Sequence, residues 1–186
     1  MPLGRGVRLP ITVLFADIRG FTAIAERFAP HEVVGFLNEY IGVVTPILLR
    51  HDGCIDKLLG DGVMAVFGAP IVRSDHVAQA VQAAVELQDA LVNIQSLGGL
   101  LRVGVGIHTG EAVVGNVGDV HVQDFTAIGD TVNVAARMQE LARPGEVLAT
   151  AEVYDQVAAT YPHAPSWQAQ LEGRNQPVTV YRLRGG

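Results

Sequence analysis

The 186 residues carry 49% hydrophobic and 17% charged side chains, which suits one folded domain with its own core and excludes a disordered chain. A formal net charge of −6 argues against nucleic acid held through a basic surface. A single cysteine, Cys54, excludes an intrachain disulfide and fits a reducing, cytoplasmic setting; no apolar run reaches the length of a membrane span.

Residues 1–10 hold glycines and arginines and are expected to be a linker remnant, with one domain over 11–186 whose regulatory partner domains lie outside this chain. Residues 11–16 (Ile-Thr-Val-Leu-Phe-Ala) predict a strand buried on both faces. A short helix follows over Thr22 to Phe28, and Pro30 opens a longer one. Its apolar positions Val33, Val34, Leu37, Tyr40, Ile41, Val44, Ile47 and Leu48 recur at three and four residues, and Pro46 is expected to kink or weaken its end. Asp61-Gly62 between the runs Cys54–Leu59 and Val63–Phe67 predicts a hairpin, with Cys54 in the core.

Ser74 or Asp75 caps a helix to about Ile94. A second hairpin is expected from Leu101–His108 and Ala112–Val117, turning at Thr109-Gly110-Glu111, and a further strand over Asp124–Ile128. Asp130 or Thr131 starts a helix that Arg143-Pro144-Gly145 ends. A strand at Val147–Ala149, a helix near Glu152–Ala158 and a strand at Val178–Leu183 close the chain. The order predicts an α+β fold with a mostly antiparallel sheet covered by helices, most simply a ferredoxin-like βαββαβ palm with extra elements.

Three constellations could carry chemistry. Asp17 ends the first strand and Asp61 sits at the first hairpin tip. Brought together, two carboxylates repel until a hard divalent cation relieves them, and a two-metal centre spans roughly 3.5–4 Å. Singly, Asp-Gly is also an ordinary turn. Asn133 and Arg137, four apart on a helix of small residues, share a face where an amide and a guanidinium could meet ribose and phosphate; a solvated face is the plain alternative. Lys57 interrupts an apolar strand, either as an edge lysine reaching water or as a donor to a base nitrogen.

The blocks Phe15-Ala-Asp-Ile-Arg-Gly-Phe-Thr22, Lys57-Leu-Leu-Gly-Asp-Gly62, Gly106-Ile-His-Thr-Gly110 and Phe125-Thr-Ala-Ile-Gly-Asp-Thr-Val-Asn-Val-Ala-Ala-Arg137 together resemble the class III nucleotidyl cyclase catalytic domain from about Ile11 to Leu183. The resemblance implies that Asp17 and Asp61, with the Ile18 carbonyl, hold two Mg²⁺ or Mn²⁺ ions. It implies that Lys57 and Thr126 read the purine, Asn133 positions the ribose and Arg137 offsets charge on the phosphates. Arg174 stands in for a triphosphate-binding lysine. Where many members have Arg, two residues before the Gly of the Gly-Ile-His block, this chain has Gly104, with Arg102 two residues earlier. His108 has no chemical role to assign.

A lysine donor and a threonine acceptor complement adenine, whose N1 accepts and whose N6 amine donates, so ATP is expected over GTP. Guanylyl members typically have Glu and a small residue at these two positions. The Thr variant resembles a bacterial subgroup stimulated by bicarbonate or CO₂. The resemblance further implies a homodimer with shared sites. The competing expectations are a guanylyl cyclase and a catalytically weak cyclase-like dimerisation or regulatory module. A diguanylate cyclase is disfavoured because its Gly-Gly-Asp/Glu-Glu-Phe signature is absent.

Overall fold

A computed structural model of the chain describes residues 6–99, 101–118 and 123–185. Strand β1 (Val7–Ile18) leads through helices α1 (Phe21–Arg27) and α2 (Pro30–Arg50) to the hairpin β2 (Gly53–Leu58) and β3 (Gly62–Phe67). Helix α3 (His76–Leu91) and one turn, α4 (Ser96–Gly99), precede β4 (Val103–Gly118) and β5 (Gln123–Ile128). The rest is α5 (Asp130–Leu141), β6 (Val147–Thr150), α6 (Ala151–Val157), β7 (Ser166–Ala169) and β8 (Val178–Arg184).

The strands make one sheet in the order β2-β3-β1-β4-β6-β8-β7, with β5 paired to the second half of β4. β4-β1-β3-β2 is antiparallel throughout, the order of a ferredoxin-like palm, and β6 joins parallel to β4. Alternation along β1 sends Leu14, Ala16 and Ile18 into the core beneath α2, α3 and α6. Ile11 and Val13 go to the opposite face, where they pack with Ala127 of β5 and Ala135 of α5. Asp17 shares the parity of that second face.

Several expectations need correction. β1 begins at Val7, and residues Val7 to Pro10 pair with Val114 to Glu111, so the sheet reaches into the stretch taken as linker; residues 1–5 of that stretch lie outside the described residues. There is no turn at Thr109-Gly110-Glu111, because all three stay in register with β1; the hairpin is formed by β4 and β5. Strand β7 carries no apolar alternation that would mark it, its first three residues being exposed. Helix α2, with a mean hydropathy of 1.4 over 18 residues, is long and apolar enough to cross a membrane. It nevertheless buries Phe36, Tyr40, Val44, Ile47 and Leu48 in the core. It also runs unbroken through Pro46, since Gly42, whose carbonyl loses its partner, is exposed to water. Cys54 is half-buried rather than core, with its thiol pKa raised by burial and then by Asp56.

Candidate active site

The end of β1 and the β2–β3 turn meet edge to edge. Asp17 pairs in register with Gly62, and the Ile18 N–H donates to the Asp61 carbonyl at 2.9 Å. The two glycines around Asp61 do different things. Gly60 supplies the positive φ of the turn (68°), and Leu59 N–H closes it on the Gly62 carbonyl at 2.8 Å. Gly62 makes room: a Cβ there would stand 3.2 Å from Asp17 Oδ1 and 3.1 Å from the Ala16 carbonyl.

Asp17 Oδ1 is buried and accepts no hydrogen bond. Burial first, and the neighbouring Asp61 charge second, raise the Asp17 pKa to about 6 against the pull of Arg19. A buried orphan oxygen beside a second carboxylate fits a hard divalent cation. Among the described residues no third His, Cys, Asp or Glu gathers here. Further ligands would have to be backbone carbonyl, water or substrate oxygens.

Arg19, to which the sequence assigns no role of its own, joins two parts of the site. Its Nη1 lies 4.0 Å from Asp17 Oδ2, its Nε donates to the Ala142 carbonyl at 2.9 Å, and its Nη2 donates to the Gln139 carbonyl. It thereby caps the C-terminal end of α5 with positive charge. Its guanidinium lies over Gly104, where a Cβ would come within 2.6 Å of Arg19 Cζ and Nε. The Arg19 guanidinium, from the turn that follows β1, thus fills the space a side chain at position 104 would need.

Glycines seat α5 on β4. A Cβ on Gly106 would fall 2.6 Å from the backbone of Met138 and Gln139, and one on Gly110 would fall 2.8 Å from Thr131 Oγ1. The two glycines are four strand residues apart, about 13 Å. Thr131 and Gln139 are eight helix residues apart, about 12 Å. The helix therefore lies along the strand and rests on both. Between them His108 is buried and bonded through Nδ1 to Thr150 Oγ1 at 2.7 Å, and burial lowers its pKa. It is structural.

The outer face of α5 carries Asn133, exposed, and Arg137. They line a cleft of about 330 Å³ with Asp130, Leu171, Glu172 and Arg174. Arg137 Nη1 rests on Glu140 at 3.0 Å and on Glu172 at 3.2 Å, and Arg174 pairs with Asp130. Arg174 thus joins the Asn133–Arg137 face, whereas Arg102 folds back onto the Gly99 and Leu101 carbonyls at 2.8 and 2.7 Å.

The third group forms where β5 crosses to β2. Lys57 Nζ donates to Thr126 Oγ1 at 3.4 Å. Asp56, which was not singled out in the sequence, lies beneath both. Its side chain is 3% exposed, and a β-bulge between Ile55 and Lys57 turns it toward β5. Two adjacent charges inside an apolar strand were the signal that could have found it.

One chain does not gather all three groups. The cleft lining includes neither aspartate, nor Lys57, nor Thr126. Asp17 faces Arg19 at the Ala142 end of α5, and Asn133 lies nine residues back along that helix, about 13 Å.

Residues 8–185 match the family described as the adenylate and guanylate cyclase catalytic domain. Adenylate cyclase 1 of Rhizobium meliloti (strain 1021) is 36% identical over 185 residues, which cover 96% of this chain and 28% of the relative. The chain thus spans under a third of that relative's length. Two solved structures superpose closely. The guanylyl cyclase Cya2 has a TM-score of 0.90 at 35% identity, covering 97% of this chain and 94% of its own. The adenylyl cyclase CyaB from P. aeruginosa has a TM-score of 0.86 at 28% identity, covering 98% and 97%.

Proposed function

The chain belongs to the adenylate and guanylate cyclase catalytic domain family, and on that premise we propose that it converts ATP to 3′,5′-cyclic AMP and pyrophosphate at sites shared by two copies of itself. The ribose 3′-hydroxyl gives up its proton to solvent water, O3′ bonds to the α-phosphorus, and the bond from that phosphorus to the bridging oxygen breaks to release pyrophosphate. One observation carries the choice of ATP: the Lys57 ammonium and the Thr126 hydroxyl stand 3.4 Å apart, a donor beside an oxygen. That pair matches adenine N1 and the N6 amine, and the lysine opposes guanine N1–H. Adenylate cyclase 1 supports the same choice. The likeness to the guanylyl cyclase Cya2 is the observation behind the second reading, GTP as substrate.

Asp17 and Asp61, with the Ile18 carbonyl, would hold two Mg²⁺ or Mn²⁺ ions. When bound, such ions lower the pKa of the attacking hydroxyl and neutralise triphosphate charge. On the other side of the substrate, Asn133 orients the ribose. Arg137 leaves Glu140 and Glu172 to fork onto the phosphoryl oxygens, where preorganised positive charge counts most. Arg174, freed from Asp130, holds the triphosphate. The separation of these groups within one chain supports a twofold dimer in which each copy lends its aspartates to one site and its α5 to the other. The Thr126 variant supports bicarbonate as an effector.

The test is product analysis with ATP and GTP, each with Mg²⁺ and Mn²⁺, at fixed pH with bicarbonate or matched chloride. Cyclic AMP from ATP, with at least tenfold lower kcat/KM for GTP, is expected. A higher kcat/KM for GTP would establish the second reading. No product from either nucleotide would leave a dimerisation or regulatory module. A rate indifferent to bicarbonate removes that effector.

A further inference from the structure

We propose that Asp56 is the positioning residue that makes Thr126 an obligate acceptor and so sets the preference for a 6-amino purine. The inference rests on the proposed reading of Lys57 and Thr126 as the base-reading pair. A threonine hydroxyl can donate or accept, so alone it would tolerate either the amine of adenine or the O6 of guanine. Its selectivity depends on where its one proton goes.

Here that proton has a destination. Thr126 Oγ1 lies 2.9 Å from Asp56 Oδ1 and 3.0 Å from Oδ2, and a carboxylate is the strongest acceptor within reach. The competing Ala127 carbonyl is farther, at 3.5 Å. Asp56 cannot swing away: Oδ2 also accepts the Ala127 N–H at 3.0 Å, and Oδ1 faces the Lys57 ammonium at 3.5 Å. With its proton committed, Thr126 offers only lone pairs to the base. One faces Lys57, and the other is free for an N6 amine. An O6 would meet that lone pair with its own.

The same carboxylate orders Lys57. Two of the three ammonium protons are directed at Asp56 and Thr126, leaving one for the ring nitrogen. Asp56 thus sets the polarity of both contacts without touching the base.

The decisive variant is Asp56→Asn. Its amide oxygen can keep the Ala127 N–H while its NH₂ donates to Thr126, which turns the threonine proton outward, toward an O6. The ratio of kcat/KM for ATP over GTP is expected to fall about tenfold or more. The change should vanish when Thr126→Val is present in both backgrounds, whereas Thr126→Ser should leave the wild-type ratio in place. An equal loss for both nucleotides, with the ratio unchanged, would overturn the proposal and leave Asp56 as a scaffold for Lys57.

A substrate probe needs no variant. Purine ribonucleoside triphosphate keeps N1 but lacks the 6-amine, and wild-type protein is expected to use it about tenfold less well than ATP. Equal use overturns the proposal even if Asp56→Asn does not fold. If wild-type protein prefers GTP, the underlying reading falls. If it prefers ATP and Asp56→Asn keeps that preference, only the role of Asp56 falls.

Discussion

Without a cation the Asp17 carboxyl gives up its proton only near pH 6, because burial and then Asp61 oppose its ionisation. A raised carboxylate pKa has a definite sign. Between the unfolded value of 3.8 and about 6 the native chain keeps a proton that the unfolded chain has lost, so this contribution to stability declines as pH rises through that window. Asp17→Asn should therefore leave Tm unchanged at pH 4 and raise it at pH 7. The gain, after discounting for part exposure, is about 1 kcal/mol or 2–4 °C. The same variant should abolish the Tm increase that Mn²⁺ gives wild-type protein at pH 7, an increase that shrinks at pH 5 as protons compete. Calorimetry at the three pH values checks both. A function-bearing residue that destabilises the free chain is a common signature of a binding site.

At the level of elements, the glycine-seated α5 gives the sharpest expectation. Gly106→Ala places a methyl against the backbone of Met138 and Gln139. It should cost about 1–3 kcal/mol and lift the helix that carries Asn133 and Arg137, lowering kcat by tenfold or more. Gly42→Ala is the contrast: nothing lies within 4 Å of its Cβ, it sits inside α2, and it should stabilise by about 0.5–1 kcal/mol with unchanged activity. Thermal melts paired with initial rates separate the two. The same glycines explain what was legible beforehand. The β2–β3 hairpin and the starts of α2 and α5 were readable because turn residues and periodicity act locally. Gly110 looks like a turn residue in the sequence, but its missing side chain answers to Thr131, twenty-one residues on, and not to its own φ. Asp17 and Asp61 were readable as a pair through the palm topology. Asp56 and Arg19 were not, since their partners Thr126, Gln139 and Ala142 come from elements distant in sequence.

For the molecule as a whole, on the proposed reading, the separation of the aspartate edge from Asn133 leaves a single copy without a complete site. Asp17→Ala and Asn133→Ala proteins should each have under about one per cent of wild-type activity alone. Mixed under conditions of shown subunit exchange, they should regain up to a quarter of it: half the dimers are mixed, and each mixed dimer has one intact site. Rates measured across mixing ratios check this, and a flat baseline would mean that each chain works by itself. Arg19 gives such a dimer a mechanical property. In the proposed dimer the guanidinium beside one aspartate edge also holds the far end of the helix that would serve the opposite substrate. A movement of either centre in that dimer would therefore be felt by its twin, so that the two nucleotides would not be processed independently.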